Sequence, residues 1–143
     1  MQSLVEPTLV LLVDDNPLDV EFGRIQLERC DYVDAIEKAS SGEAALRHLE
    51  KSIAEGRSLP GTIFLDLRMP RMDGFEFLDA LTEQLPEYRP QVVILTGCAS
   101  DPDRLRALSH DLVVEYIIKP IMSLDATRIL RPAVAPNAAA VPG

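Results

Sequence analysis

The sequence contains no tryptophan and only two cysteines, Cys30 and Cys98, which lie far apart along the chain. Because neither cysteine belongs to a CxxC pair or to the spacing of a zinc site, we expect both to be ordinary reduced thiols. The sequence also lacks the roughly 20 consecutive apolar residues that a membrane-spanning helix requires, and no basic segment precedes an apolar stretch at its N-terminus. These absences predict a cytoplasmic protein that makes no contact with membranes.

Positive charge is also scarce, because 14 lysine and arginine residues stand against 23 aspartate and glutamate residues, which gives a net charge of −9. A domain this acidic repels the phosphates of nucleic acids, so we expect no nucleic acid among its partners. Hydrophobic residues make up 47% of the 143-residue chain, which is enough to bury the core of one globular domain.

Short apolar segments and segments of helical periodicity alternate along the chain. The segments of strand length lie at 8–13, 33–39, 62–65, 92–95 and 113–118. The helical segments lie at 17–29, between Ser40 and Gly56, and at 74–85, 100–111 and 123–131. Five such units predict an α/β fold in which a five-stranded parallel sheet is doubly wound, with five helices on its two faces.

Two of the predicted helices have recognisable starts. Asn16 precedes Pro17, which is the usual combination of an N-cap side chain and a proline at the first helical position. Ser40 lies three residues before Glu43, a spacing typical of a capping box. Gly56 suits the C-terminal end of the same helix, because glycine accepts the left-handed conformation found there.

The two ends of the chain differ in composition from its middle. Residues 132–143 are rich in alanine and proline and show no amphipathic pattern, which indicates a tail that is flexible or that depends on a partner. We therefore expect a short N-terminal lead at 1–7, a folded domain at 8–131 and a C-terminal tail at 132–143.

Polar residues follow four of the five predicted strands. Asp14 and Asp15 follow the first strand, Asp66 the third, Thr96 the fourth and Lys119 the fifth. Each residue alone is also typical of an ordinary turn or surface position. In a doubly wound sheet, however, the carboxyl ends of the strands meet at one edge, where sites form. The sequence therefore predicts that these five side chains converge.

Their chemistry indicates a phosphoryl acceptor. Three neighbouring carboxylates repel one another unless a cation lies among them, and oxygen ligands without histidine or cysteine favour a hard ion such as Mg²⁺. A carboxylate can itself act as a nucleophile and form an aspartyl-phosphate. Lys119 offers a positive charge and Thr96 a hydroxyl for the phosphoryl oxygens, so the edge predicts metal-assisted phosphoryl transfer.

At these residues the sequence resembles the receiver domains of response regulators, over about residues 8–131. The strings that carry the resemblance are Val-Asp-Asp-Asn-Pro at 13–17, Phe-Leu-Asp-Leu-Arg-Met-Pro-Arg-Met-Asp-Gly at 64–74, Ile-Leu-Thr-Gly at 94–97 and Tyr-Ile-Ile-Lys-Pro at 116–120. The resemblance implies a flavodoxin-like sheet of strand order 2-1-3-4-5. It also implies a regulatory phosphoacceptor of a two-component system that assists its own phosphorylation and dephosphorylation, rather than an enzyme.

The resemblance assigns a role to each site residue. Asp66 is implied to be the phosphoacceptor and to bind Mg²⁺ directly, together with Asp15 and the backbone carbonyl of Arg68. Asp14 is implied to act through a bound water. Lys119 is implied to contact a phosphoryl oxygen, next to a cis peptide bond before Pro120.

The same resemblance implies a switch and a set of partners. Thr96 turns toward the phosphoryl group while Tyr116 moves from outside to inside, and the fourth helix, fifth strand and fifth helix form the readout face. The partners implied are a sensor histidine kinase and a downstream protein or phosphotransfer protein. Because no output domain follows in the sequence, we expect a stand-alone receiver, similar to regulators that serve phytochrome-type kinases.

Two features depart from the usual pattern of the family. Arg68 stands at a position that faces the site and sets phosphate lifetime, so we expect slower loss of phosphate than in an Arg68→Asn variant. The last predicted helix is short, which leaves open a role of residues 123–143 in homodimerisation or partner docking.

Two other functions fit part of the same pattern. A haloacid-dehalogenase-type phosphatase also uses an aspartyl-phosphate and Mg²⁺, but it normally carries a second aspartate where this sequence has Arg68, and the expected domain leaves no room for its cap. A receiver-like binding module that is never phosphorylated remains the alternative. The two histidines, His48 and His110, do not fall on the acidic edge, and we expect both at the surface.

Overall fold

A computed structural model describes residues 7–98 and 100–132 of the chain. Within those ranges strands and helices alternate, as the apolar pattern predicts. The elements are β1 (Leu9–Val13), α1 (Pro17–Glu28), β2 (Ala35–Ala39), α2 (Gly42–Ala54), β3 (Thr62–Asp66), α3 (Gly74–Gln84), β4 (Gln91–Thr96), α4 (Asp101–Leu108), β5 (Val113–Ile118) and α5 (Ser123–Leu130).

The five strands form one parallel sheet in the order β2-β1-β3-β4-β5. The doubly wound, flavodoxin-like fold expected from the sequence is therefore confirmed. Its register brings the strand ends level, since Asp66 pairs with Leu95 and Thr96 pairs with Ile118. The ends of β1, β3, β4 and β5 consequently lie along one edge.

The core has two halves, one on each face of the sheet, because successive side chains of a strand point to opposite faces. On β1, Leu11 and Val13 pack into the half that α2 and α3 cover, with Leu49 and Phe77 as fully buried members. The alternate β1 residues pack into the half that α1 and α5 cover, which includes Leu27. Both halves support the loops at the edge described above.

Two predicted helix boundaries are wrong. The cap of α2 is Ser41, not Ser40: its hydroxyl accepts a hydrogen bond from the Ala44 N–H, and the Glu43 carboxylate pairs with Arg71 instead of closing a capping box. Helix α4 ends at Leu108 rather than near residue 111. It ends early because the Leu112 and Val113 N–H groups donate hydrogen bonds to the imidazole Nδ1 and the carbonyl of His110, which turns the chain into β5.

Other local predictions are confirmed. Asn16 caps α1 by accepting hydrogen bonds from the N–H groups of Leu18 and Asp19, and Gly56 follows α2 with a φ of 69°. The last helix is short, as expected, and none of the described helices has the length and apolarity to cross a bilayer. Nearly all of the expected tail, residues 133–143, lies outside the described ranges, as do residues 1–6 of the expected lead.

Candidate functional site

The predicted site residues lie together at the carboxyl edge of the sheet. Asp14 follows β1, Asp66 ends β3 and Thr96 ends β4, and these three residues are buried, with exposed fractions of 2%, 5% and 2%. Lys119 follows β5, and its backbone N–H donates to the Thr96 carbonyl at 2.7 Å. The edge therefore combines two buried acidic residues, at the ends of the neighbouring strands β1 and β3, with a basic residue after β5.

Three carboxylates form a compact cluster at this edge. Asp14, Asp15 and Asp66 each place one oxygen within 4.8 Å of the others, and Asp15 alone of the three is exposed. The donor set consists of oxygen atoms with no histidine or cysteine, which is the set that Mg²⁺ prefers. Two buried members and one exposed member also leave a solvent-facing side through which an ion could enter with part of its water shell.

Lys119 is surrounded by carboxylates. Its Nζ lies 2.7 Å from Asp14 Oδ2, 2.8 Å from Asp19 Oδ2 and 3.5 Å from Asp66 Oδ2. Asp19 is a site residue that the strand-end rule does not predict, because it lies within the helix predicted at 17–29 and not at the end of a strand. A signal was available, because a helix that begins directly after the Asp14-Asp15 pair carries its first turn over the same edge.

The protein environment shifts the protonation of these groups. Burial, reinforced by the nearby Asp14 charge, raises the pKa of Asp66 from 3.8 to about 6, although Lys119 and the Arg68 N–H act in the opposite direction. Burial alone lowers the pKa of Lys119, but hydrogen bonds to Asp14 and Asp19 outweigh burial and hold the pKa above its ordinary value. The site thus holds more negative charge than Lys119 neutralises, which favours an added cation.

Local backbone contacts fix the two buried carboxylates. The Asn16 N–H donates to Asp14 Oδ1 at 2.9 Å, and the Arg68 N–H donates to Asp66 Oδ1 at 3.3 Å. Gly74 closes the loop after Asp66, since a Cβ at that position would lie 2.9 Å from the Asp66 carbonyl oxygen and from Leu67 Cα. The loop of residues 67–73, which we call the acceptor loop after the role predicted for Asp66, therefore depends on glycine at its far end.

The predicted switch residues lie in two different environments. The buried Thr96 hydroxyl bonds within its own loop, to the backbone carbonyl of Cys98 at 3.3 Å. Tyr116 lies opposite Ile94 on β4 and packs against the core half beneath α2 and α3. Its hydroxyl is already buried, not outside as the resemblance implies for the unmodified state, and has no hydrogen-bond partner among the residues that the structure describes.

The Arg68 side chain does not point into the carboxylate cluster. Its guanidinium pairs with Asp103 in the first turn of α4 and is 62% exposed. The expectation that this side chain faces the site is thus wrong for the state described, since Arg68 lies at the rim and joins the acceptor loop to α4. The peptide bond between Lys119 and Pro120 is cis, as expected.

The histidines lie away from this edge. His48 on α2 pairs with Glu37 of β2 at 2.7 Å, and the imidazole of His110, after α4, accepts the Leu112 N–H. Neither side chain contacts the carboxylate cluster, and both histidines are partly exposed. Their contacts are structural ones.

Comparison with known sequences identifies a family and relatives that match most of the chain. Residues 10–131 match the family model of the response regulator receiver domain. The chain is 37% identical over 123 residues to the probable methanogenesis regulatory protein FilR2 of Methanothrix harundinacea, with 86% of this chain and 79% of that protein covered. The chain is also 34% identical over 112 residues to the transcriptional regulatory protein BtsR of Salmonella typhi. That match covers 78% of this chain but only 42% of BtsR.

Solved structures give the same result. A two-component response regulator from Cytophaga hutchinsonii superposes with a TM-score of 0.80 at 25% identity, over 87% of this chain and 95% of that one. The bacteriophytochrome response regulator RtBRR superposes with a TM-score of 0.74 at 26% identity, over 91% of this chain and 81% of that one. The sheet order and the cluster at its edge therefore occur in a chain whose relatives are signalling proteins.

Proposed function

This chain belongs to the response regulator receiver domain family, and on that premise we propose that it accepts a phosphoryl group on Asp66 and changes its interaction surface in response. The observation that carries the proposal is the compact cluster of Asp14, Asp15 and Asp66 beside Lys119. A receiver domain is a regulatory domain rather than a classical enzyme. The proposed transfer is accordingly a step in signalling.

The donor is proposed to be the phosphohistidine of a sensor kinase. An Asp66 carboxylate oxygen attacks phosphorus, the N–P bond breaks, and its electron pair returns to the histidine ring of the donor. The side chains of Asp15 and Asp66 and the carbonyl of Arg68 would hold Mg²⁺, with Asp14 acting through water. Bound Mg²⁺ would neutralise the carboxylates and the charge that develops on the transferred group.

Lys119 and Thr96 then stabilise the modified state. The ammonium of Lys119 donates to one phosphoryl oxygen, and the Thr96 hydroxyl leaves the Cys98 carbonyl to donate to another. A phosphoryl group adds nearly two negative charges and three acceptor oxygens, so it favours the conformation in which both donors are turned toward it. Tyr116 fills the space on the side that Thr96 leaves, and this couples the site to β5.

The proposal extends to partners and context. We propose a cytoplasmic receiver with domain bounds 8–131. It receives phosphate from a histidine kinase, of the phytochrome type or a similar one, and passes the signal to a downstream protein or phosphotransfer protein. Its acidic surface disfavours nucleic acid as a direct partner. Self-association through residues 123–143 is a further part of the proposal.

The decisive experiment is modification of the purified protein by acetyl phosphate with Mg²⁺, read by intact mass. The expected result is the added mass of one phosphoryl group that requires both Mg²⁺ and Asp66. The Asp66→Asn variant and a sample with excess chelator are the controls, and elution volume before and after treatment reports self-association. A wild-type protein that binds Mg²⁺ but is never modified would favour a receiver-like binding module instead.

A further inference from the structure

Asp19 is a fourth carboxylate at the edge and has no part in the proposed transfer. Lys119 Nζ donates to Asp19 Oδ2 at 2.8 Å, whereas the distance from Nζ to Asp66 Oδ2 is 3.5 Å. Asp19 lies in the first turn of α1, which the Asn16 side chain caps, so its backbone is held by the helix. The ammonium therefore lies on the α1 side of the cleft, nearer to Asp14 and Asp19 than to Asp66.

The surroundings explain why the ammonium needs a partner there. Lys119 has a side chain that is only 16% exposed, and it lines a small pocket together with Asp14, Asp19, Phe22, Leu95 and Ile121. A largely desolvated ammonium among apolar groups is costly unless carboxylates accept its N–H groups. Asp14 belongs to the cluster proposed to hold the metal. Asp19 lies outside that cluster and can therefore accept a hydrogen bond from the ammonium when the metal is bound.

We propose, building on phosphoryl transfer to Asp66, that Asp19 is a positioning residue that provides a resting partner for Lys119. Lys119 donates to Asp14 and lies near Asp66, whose oxygens would be engaged by bound Mg²⁺, through water in the case of Asp14. Asp19 would then keep the ammonium, and after phosphoryl transfer Lys119 would leave Asp19 to reach a phosphoryl oxygen. No covalent bond changes in this exchange, which swaps one charge-assisted hydrogen bond for another.

The resting partner affects two equilibria in opposite directions. In Asp19→Asn, the ammonium displaced by Mg²⁺ has lost its alternative carboxylate, so Mg²⁺ binds more weakly. The same variant binds beryllofluoride, which stands in for the phosphoryl group, more tightly, because Lys119 no longer has to break an ion pair. We expect each dissociation constant to change by about three- to tenfold, less than a buried charge-assisted hydrogen bond would give, because the Asp19 side chain is 42% exposed.

Loss of a negative charge alone changes both equilibria in the same senses, so a matched control is required. Glu21→Gln removes one carboxylate two residues further along α1, where Glu21 pairs with Arg24 and not with Lys119. Calorimetry would measure Mg²⁺ binding first and beryllofluoride binding at saturating Mg²⁺ second. Asp19→Ser serves as a second variant, and thermal unfolding checks that each variant folds.

The inference requires Asp19→Asn to exceed Glu21→Gln in both effects. Equal effects of the two variants would overturn it, and so would weaker beryllofluoride binding in Asp19→Asn, because Asp19 would then support Lys119 in the bound state. The proposed function is tested separately by comparing wild type with Asp66→Asn. If wild type binds no beryllofluoride but Asp19→Asn weakens Mg²⁺ binding more than Glu21→Gln does, the contact of Asp19 with Lys119 in the metal-bound state stands and phosphoryl transfer fails.

Discussion

Helices α2 and α3 each bury five residues, whereas α4, described along its whole length, buries only Ala107, and α5 buries two. The strands show the same difference, because every residue of β3 is buried while β5 is buried only at its first residue. The acceptor Asp66 thus belongs to the well-packed part of the molecule. The face formed by α4, β5 and α5, which we call the α4–β5–α5 face, is the loosely packed part.

This difference indicates how a charge at Asp66 could act at a distance. Elements with few buried apolar contacts open or shift at a low cost in free energy. A small change in interaction free energy therefore displaces these elements before it displaces the well-packed ones. Helix α4 is held to the well-packed part by two cationic contacts, the Arg68–Asp103 pair and the stacking of Arg106 over the Phe75 ring at 3.9 Å. Both Arg68 and Phe75 lie within or next to the acceptor loop.

The same face also presents apolar surface. Leu105 is 67% exposed, Val114 50% and Ile118 44%, and all three lie on the α4–β5–α5 face. A loosely held element that carries exposed apolar side chains is suited to bind a partner in one conformation and not in another. On the proposed function, the comparison supports chemistry in the well-packed part and readout on the α4–β5–α5 face.

The largest expected effect comes from breaking the well-packed part. Phe77→Ala removes a fully buried ring between α3 and the sheet, and we expect it to lower the free energy of unfolding by about 3–5 kcal/mol. Leu105→Ala, on the loosely packed face, should change it by less than about 0.5 kcal/mol. Urea unfolding followed by circular dichroism measures both. Similar losses of stability in the two variants would contradict the division into a well-packed and a loosely packed part.

A second prediction concerns Asp66, the buried carboxylate within the well-packed part. Because folding raises the pKa of Asp66 from 3.8 to about 6, the folded state holds this proton more tightly than the unfolded state. The contribution of Asp66 to the free energy of unfolding is therefore favourable to folding at low pH and declines as pH rises from about 4 to 6. Asp66→Asn, which carries no charge, should be more stable than metal-free wild type at neutral pH by about 1–2 kcal/mol, less than the full pKa shift would give because solvent reaches part of the site.

The pH series separates this effect from general charge removal. The stability difference between Asp66→Asn and wild type should be small near pH 4 and largest above pH 6, and excess Mg²⁺ should reduce it by stabilising the wild type. Asp79→Asn, at an exposed position of α3, is the control for loss of one carboxylate. A difference between Asp66→Asn and wild type that does not depend on pH would show that the environment of Asp66 is not the cause.

The acceptor loop provides a third, smaller effect. Gly74→Ala places a Cβ 2.9 Å from the Asp66 carbonyl oxygen, so the loop must shift, and we expect a loss of about 1–3 kcal/mol in stability. Gly61→Ala is the matched control, since a Cβ there meets no atom within 4 Å. Mg²⁺ affinity should fall in Gly74→Ala and remain unchanged in Gly61→Ala. Equal Mg²⁺ binding in both would show that the loop adjusts without moving Asp66.

Sequence pattern was sufficient for the features that depend on short-range order. The apolar runs predicted all five strands, and the rule that parallel strands end at one edge brought Asp14, Asp66, Thr96 and Lys119 together. The cap of α2 could not be predicted in this way, because Ser40 and Ser41 have the same side chain. Only the backbone conformation decides which of them precedes the helix.

Contacts between distant side chains could not be predicted in the same way. The Lys119–Asp19 pair joins residues 100 positions apart, and the Arg68–Asp103 pair joins residues 35 positions apart. Both depend on how far a long side chain reaches and on which of several carboxylates it selects. Propensity and periodicity carry no information about that choice, which the packing of α1 and α4 on the sheet determines.

The smallest expected effect on stability tests the link between the two parts directly. Arg68→Asn removes the pair with Asp103, and an exposed pair of this kind contributes about 0.2–1 kcal/mol, so global stability should change little. Amide hydrogen exchange in α4 should nevertheless accelerate, because α4 buries so little else. Arg71→Asn is the matched control: Arg71 lies on the same loop but pairs with Glu43 of the well-packed α2, so exchange in α4 should not change. If both variants left α4 exchange as in wild type, Arg68 would not tether α4, and the coupling between site and readout face would have to run through β5 instead.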